Sequence, residues 1–148
     1  MNKNRIWKGL FVLYCAGMLW LLFGRERPDA AIGNWQQMQQ SLNLIPLKTV
    51  KLYLHVFEDP ALSHLKDAAV VNLLGNVVMF LPLGMGLPGV FPRLRRLWRT
   101  LLAATLLIAL VELCQLFLLV GNCDVDDLLL NLVGAAAGYG FFKILQRT

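Results

Sequence analysis

The apolar residues of this chain are gathered into four blocks instead of being scattered along it. The blocks cover about residues 6–23, 68–91, 100–120 and 127–145, and each is about long enough for a helix that crosses a bilayer. Hydrophobic residues make up 57% of the chain and charged residues 16%, against about 45–50% and about 25% in soluble domains. The pattern predicts an all-α, polytopic membrane protein with four transmembrane helices in one domain of 148 residues.

The first block has two interpretations, because signal peptides and first transmembrane helices both begin with basic residues and an apolar stretch. The basic residues here are Lys3, Arg5 and Lys8. The apolar stretch is long, ends in the bulky residues 20–23 and has no small-x-small cleavage site directly after it. An uncleaved transmembrane helix is therefore the favoured interpretation.

Residues 24–67 form the one long polar segment, whose formal charge is zero. Within it, residues 35–42 are predicted to form a short helix. Residues 47–57 place apolar side chains at helical spacing, which predicts a second, amphipathic helix that lies among lipid headgroups. Pro46 is expected to set its start and Pro60 to end it.

Most of the basic residues flank the blocks on one side of the predicted bundle. Nine of the fourteen fall there: Lys3, Arg5, Lys8, Arg93, Arg95, Arg96, Arg99, Lys143 and Arg147. Because basic loops favour the cytoplasmic side, both termini are predicted to be cytoplasmic and the loop 24–67 to face outward. The basic residues do not form a patch interleaved with aromatic residues, so no nucleic-acid partner is predicted.

Two of the blocks carry residues that bear on helix packing. The far half of the second block is rich in helix-weakening residues and is expected to be kinked or broken. These residues are Pro82, Gly84, Gly86, Pro88 and Gly89. In the fourth block, the small residues Gly134, Ala135 and Gly138 share a face with Asn131, so a neighbouring backbone is expected to approach closely.

Glu112 is the only charge placed deep inside a predicted span. It lies about 12 Å before the end of the third block, taking about 1.5 Å per helical residue. A carboxylate at that depth is costly unless it is paired, which favours a functional role. The competing interpretation is a hydrogen bond that merely joins helices, as polar side chains also do in membrane bundles.

Polar residues from three blocks are predicted to line one pocket that opens toward the outer leaflet. The candidate catalytic residues are Glu112, Gln115 and Asp127, and the candidate binding residues are Asn72, Asn76, Asp124 and Asn131. A desolvated Glu112 suits a general acid or base. The acidic turn with Asp124, Asp126 and Asp127 suits a divalent cation held against a phosphate-bearing lipid. Asp124 also suits a simple helix cap.

No established catalytic or metal-binding motif accompanies this pocket. The sequence has no Ser-His-Asp set, phosphate loop or HExxH motif, and its three cysteines form no disulfide or zinc framework. Cys123 lies in the acidic turn without a base nearby in sequence, which makes it a weak candidate nucleophile. The sequence therefore identifies neither a cofactor nor a reaction.

Three segments together resemble the VanZ-like family, small bacterial membrane proteins named after a teicoplanin-resistance protein. The segments are NLIPLKTV at 43–50, NLLGNVVMFLPLG at 72–84, and VELCQ with DVDDLLLNLVGAAAGY within 111–139. The resemblance covers about residues 40–142 and implies a multi-pass protein of the bacterial plasma membrane, linked to the cell envelope and to glycopeptide tolerance. Family members often carry a basic residue before the acidic turn, where this chain has Gly121 and Asn122.

The leading functional hypothesis is a protein that binds or acts on a lipid or lipid-linked cell-wall component at the outer leaflet. Glu112 would be its proton-handling or hydrogen-bonding centre. The alternative is a non-catalytic membrane scaffold or assembly partner, in which the polar residues only join helices and the outer loop is the docking surface. A small transporter is a weaker hypothesis, because four helices offer little room unless the protein forms a homo-oligomer.

Overall fold

The computed structural model describes residues 3–24 and 35–147 of the chain. Its helices are α1 (Lys3–Phe23), α2 (Trp35–Gln40), α3 (Lys48–Glu58), α4 (Lys66–Val90), α5 (Leu97–Leu118) and α6 (Val125–Leu145). Short 3-10 turns cover Pro60–Leu65 and Pro92–Leu94, and the two-residue strands β1 (Leu42–Asn43) and β2 (Cys123–Asp124) pair in parallel. The part of the predicted outer loop at residues 25–34 lies outside the described residues.

Four of the helices in the described part of the chain are long and apolar enough to cross a membrane. They correspond to Arg5–Phe23, Pro60–Val90, Leu97–Leu118 and Val125–Leu145. Each has apolar side chains on its outer surface, where contact with lipid replaces contact with water. The most exposed examples, one from each span, are Trp20, Val71, Leu106 and Ile144, at 62–75% exposure. The predicted all-α membrane fold is confirmed.

The closest helix contact lies between α4 and α6, and it depends on glycine. A Cβ atom added to Gly134 would overlap the carbonyl oxygen of Val77, and one added to Gly138 would overlap that of Leu81. The backbones can approach this closely only because neither glycine has a side chain. The close approach predicted for this face of the fourth block is confirmed.

The far half of the second block, which is expected from its sequence to be kinked or broken, is not broken: α4 continues through Pro82 and Pro88 to Val90. Packing on two sides explains the glycines in this half. A Cβ on Gly84 would overlap the backbone of Ala135 on α6, and one on Gly86 would overlap the ring of Phe11 on α1. Prolines within membrane helices are tolerated where neighbouring helices surround them, which is the situation here.

The core is formed by all four spanning helices. Its buried residues are Met18, Phe80, Leu83, Leu87, Ala104, Ile108 and Ala135. Two tyrosines add hydrogen bonds at the edges of this core. Tyr14 donates to the carbonyl oxygen of Met79 at 2.9 Å and so joins α1 to α4. Tyr139 donates to the carbonyl oxygen of Arg95 at 2.9 Å and joins α6 to the arginine-rich loop between α4 and α5.

We expect Gly134→Ala to destabilise the protein by about 1–3 kcal/mol, because the added methyl group forces α4 and α6 apart. Gly140→Ala is the matched control, since a Cβ there meets no atom within 4 Å. The control should be neutral or slightly stabilising, because alanine favours helix over glycine. Thermal unfolding of both purified variants in detergent measures the difference, and equal melting temperatures would contradict the packing argument.

Candidate functional site

A cavity of about 840 Å³ lies among the spanning helices, and helix α3 and the turn after α5 also contribute to its lining. Six of the seven predicted site residues line it: Asn72, Asn76, Glu112, Gln115, Asp127 and Asn131. The residues that line it lie at the ends of α4, α5 and α6 that are remote from the arginine-rich loop. The cavity therefore lies in the half of the bundle opposite the arginine-rich loop.

Helical spacing explains why these six side chains meet. Each of three helices contributes two of them, separated by three or four residues and hence on one face. The pairs are Asn72 and Asn76 on α4, Glu112 and Gln115 on α5, and Asp127 and Asn131 on α6. The close contact between α4 and α6 then turns two of these faces toward the same space.

Two of the lining side chains form hydrogen bonds that join helices. The side-chain amide of Asn76 donates to Oδ1 of Asp127 at 2.6 Å, between α4 and α6. The side-chain amide of Gln115 donates to the carbonyl oxygen of Leu22 at 3.0 Å, in the last turn of α1. Gln115 thus holds the end of α1 against α5, where Leu22 also lines the cavity.

Three other lining side chains each present a buried oxygen that has no hydrogen-bond partner among the described residues. These atoms are Oδ1 of Asn72, Oε2 of Glu112 and Oδ1 of Asn131. Glu112 is 7% exposed and Asn131 is 3% exposed. Leaving a buried polar atom unpaired costs about 1–3 kcal/mol, so three such atoms around one cavity require an explanation beyond helix packing.

The seventh predicted residue, Asp124, does not line the cavity but caps helix α6. Its carboxylate accepts from the backbone N–H of Asp126 at 2.9 Å and from the Asn43 side chain at 3.0 Å. It also accepts from the hydroxyl of Thr49 at 2.5 Å. These bonds fix the β1 segment and the start of α3 to the start of α6.

Asp126 caps α3, although the two are far apart in the sequence. This role of Asp126 was missed by the sequence analysis. Its carboxylate accepts from the backbone N–H groups of Leu47, Thr49 and Val50, at 2.5, 2.8 and 3.1 Å. Leu47, at the N-cap position of α3, has a left-handed backbone with φ of 62° and provides no side-chain cap of its own. Asp126 is fully buried and replaces that missing local cap.

Tyr53 is a second site residue that sequence reasoning missed. It lies on α3, four residues after Thr49, and therefore on the face that Asp124 and Asp126 hold against α6. From there it lines the cavity. Burial, followed by the nearby carboxylates of Asp127 and Asp124, raises the pKa of Tyr53. Its phenol therefore remains protonated at neutral pH and can donate a hydrogen bond into the cavity.

Neither a reactive thiol nor a metal cluster is present in the described part of the site. Burial, followed by the carboxylates of Glu112 and Asp124, raises the pKa of Cys123, so the thiol stays protonated and is a poor nucleophile. Among residues 3–24 and 35–147, no group of three or more His, Cys, Asp and Glu side chains could hold a metal ion. The oxygens of Asp124 and Asp126 are instead occupied by backbone and side-chain donors.

We expect Asp126→Asn to loosen α3, because an amide group cannot accept from all three N–H groups at the helix start. The local cost should be about 1–3 kcal/mol, the range for buried groups that lose a partner. Hydrogen–deuterium exchange should then become faster at residues 47–58. Asp59→Asn is the matched control, because the Asp59 side chain caps only the neighbouring 3-10 turn, by accepting from Ala61 at 2.8 Å, and its contact with α3 is through the backbone. Unchanged exchange across α3 in the Asp126 variant would refute the capping role.

Comparison with known proteins agrees with the family resemblance seen in the sequence. A family model described as VanZ/LLP1 matches residues 11–146, nearly the full chain. No curated protein and no solved structure matched the chain. The predicted family is confirmed, and with it the membrane class of the protein. The chain belongs to the VanZ/LLP1 family.

Proposed function

We propose that the cavity binds the polar headgroup of a lipid or lipid-linked envelope component. The observation that carries this proposal is the set of three buried, unpaired oxygens on Asn72, Glu112 and Asn131 around one cavity of about 840 Å³. In a native protein such atoms are normally satisfied, and a bound polar group is one way to satisfy them. Glu112 is the proposed hydrogen-bonding or proton-handling centre.

The surroundings of these oxygens favour a ligand that carries acyl or isoprenoid chains. Leu21 of α1 and Val71 of α4 line the cavity, yet they are 50% and 71% exposed on helices that span the membrane. The cavity therefore reaches the apolar surface of the bundle between these residues. A headgroup can enter there while its chains remain in the bilayer.

In the proposed orientation the cavity faces the outer leaflet of the bacterial plasma membrane, with both termini in the cytoplasm. Its support is the position of the four loop arginines at the opposite end of α4 and α5 from Glu112. A lipid-linked cell-wall component at the outer leaflet is also the kind of molecule through which a protein could alter glycopeptide tolerance. That link to teicoplanin-type tolerance rests on the family resemblance.

A scaffold function is the second candidate, and one observation favours it. Helix α3 exposes Leu52, Leu54 and Phe57 at 58%, 52% and 41%, which gives it an apolar surface for a protein partner or for lipid headgroups. If the protein is a scaffold, removing residues 35–58 abolishes its cellular role and changes inside the cavity do not. The lipid-binding proposal predicts the reverse, that the cellular role is more sensitive to changes inside the cavity than to removal of residues 35–58.

Gly75→Met should weaken lipid binding, because the new side chain extends into the cavity and competes with the ligand for space. Gly75 lines the cavity, and a Cβ there meets no atom within 4 Å, so the longer side chain enters without a backbone clash. Gly140→Met is the matched control, since Gly140 has the same free space but does not line the cavity. Native mass spectrometry of both purified variants measures retained lipid. In cells, glycopeptide tolerance should fall only with Gly75→Met, in a strain where deletion changes tolerance. Equal lipid retention by the two variants would remove the cavity from the function.

The proposed orientation makes a prediction for cysteine labelling. In a chain whose three native cysteines are replaced by alanine, Glu58→Cys should react with a membrane-impermeant maleimide added to intact spheroplasts. The side chain of Glu58 is 80% exposed at the end of α3. Arg96→Cys, in the exposed arginine-rich loop, should react only after the membrane is permeabilised. The reverse labelling pattern would invert the topology and place the cavity at the inner leaflet.

A further inference from the structure

We infer that the headgroup held in the cavity carries a primary ammonium group, which is received by Glu112, Asp127 and the amide oxygens of Asn72 and Asn131. This inference rests on the proposed function, that the cavity takes a lipid headgroup. It goes further by assigning the chemical class of that headgroup. Three independent features of the lining support it.

The first feature is charge. Two carboxylates, Glu112 and Asp127, line the cavity, whereas its described lining contains no lysine, arginine or histidine. The turn after α5 contributes only Val120, Gly121 and Asn122 to the lining, all of them uncharged. A ligand whose buried part is a phosphate would therefore be repelled, and a cation would be attracted.

The second feature is the kind of atom left unpaired. All three buried atoms without a partner among the described residues are oxygens, on Asn72, Glu112 and Asn131. A primary ammonium group has three N–H donors and no acceptor, so its hydrogen-bonding capacity matches these oxygens in kind and number. A quaternary ammonium has the charge but no N–H donor, and a glycerol headgroup has hydroxyl donors but no positive charge.

The third feature is that no cation among residues 3–24 and 35–147 forms an ion pair with these carboxylates. Among the described residues the one ion pair is His55 with Glu58 on α3, at 3.9 Å, which is remote from this pair of acids. Asp127 receives one hydrogen bond from Asn76, which is neutral. Two carboxylates within a membrane-spanning bundle are costly without a counter-charge, and a ligand ammonium provides one.

Lipid competition on the unmodified protein tests the inference. Phosphatidylethanolamine, phosphatidylcholine and phosphatidylglycerol with identical acyl chains are offered in equal amounts, and the bound lipid is measured by native mass spectrometry. We expect phosphatidylethanolamine to be retained about tenfold or more over phosphatidylglycerol, the effect expected for a close charge pair at a buried interface. We expect a similar preference over phosphatidylcholine, because its methylated cation leaves the buried oxygens without donors. Phosphatidylcholine is the sharpest comparison, because it differs only in having methyl groups in place of the N–H donors.

A second arm identifies the source of the ammonium, which an aminophospholipid or the peptide of a lipid-linked precursor could provide. A polyprenyl-linked peptide is offered with its lysine amine either free or acetylated. Preference for the free amine, without preference among the phospholipids, supports the ammonium site and assigns the group to the peptide. Preference for phosphatidylethanolamine assigns it to the phospholipid.

Variants that each remove one carboxylate then test which side chains recognise the ammonium group. Glu112→Gln and Asp127→Asn keep the side-chain shape, and each should reduce the preference for the ammonium-bearing ligand about tenfold. Phosphatidylethanolamine should also raise the melting temperature of the unmodified protein. Since the competition uses the unmodified protein, a variant that fails to fold does not remove the test.

Three outcomes overturn the inference. Equal retention of all three phospholipids, together with equal binding of free and acetylated peptide, refutes the ammonium site while the lipid-binding function stands. Phosphatidylglycerol binding that requires Mg²⁺ replaces the ammonium with a metal-bridged phosphate. Failure of every lipid to bind, with Gly75→Met and Gly140→Met indistinguishable, removes the proposed function and the inference together.

Discussion

The contact between α4 and α6 at Gly134 and Gly138 is the constraint on which the rest of this structure depends. Lipid tails are as apolar as leucine, so helices in a bilayer gain little from hiding apolar surface and associate mainly through close packing and hydrogen bonds. Here, the two glycines let α6 touch the backbone of α4. The same approach brings Asn76 within 2.6 Å of Asp127, and the polar faces of both helices then border one cavity.

The acidic turn also determines how the helices are held together, because its three aspartates within four residues have three different roles. Asp124 caps α6 and holds Asn43 and Thr49, whereas Asp126 is buried and caps α3. Asp127, in the first turn of α6, lines the cavity. Through these bonds, Asp124 and Asp126 hold α3 against the start of α6. Tyr53 on α3 therefore lines the same cavity as Asp127. The segment that connects α1 to α4 is therefore fixed to the bundle by hydrogen bonds at residues 43–50.

Much of this arrangement could be predicted from the sequence, because it follows from local periodicity. Block length predicted the spans, and helical spacing placed Asn72 with Asn76 and Asp127 with Asn131 on shared faces. Periodicity could not predict Asp126 as the cap of α3, because donor and acceptor are 76–79 residues apart. Local propensity also overestimated how far the two prolines would disrupt α4. Neighbouring helices can keep a membrane helix intact at a proline.

The polar residues within the spans can be interpreted as serving either helix packing or ligand binding. They fall into two groups, according to whether their buried polar atoms have hydrogen-bond partners. Side chains that only join helices should have their polar atoms paired, and this holds for the amides of Asn76 and Gln115. Asn72, Glu112 and Asn131 differ, because each has a buried oxygen without a partner in the described part of the chain. An amide or carboxyl group retained only for packing would gain about 1–3 kcal/mol by finding a partner or by giving way to an apolar residue. Their joint position around one cavity supports the proposal that a polar group binds there, and Glu112 is the member of this set that can carry charge.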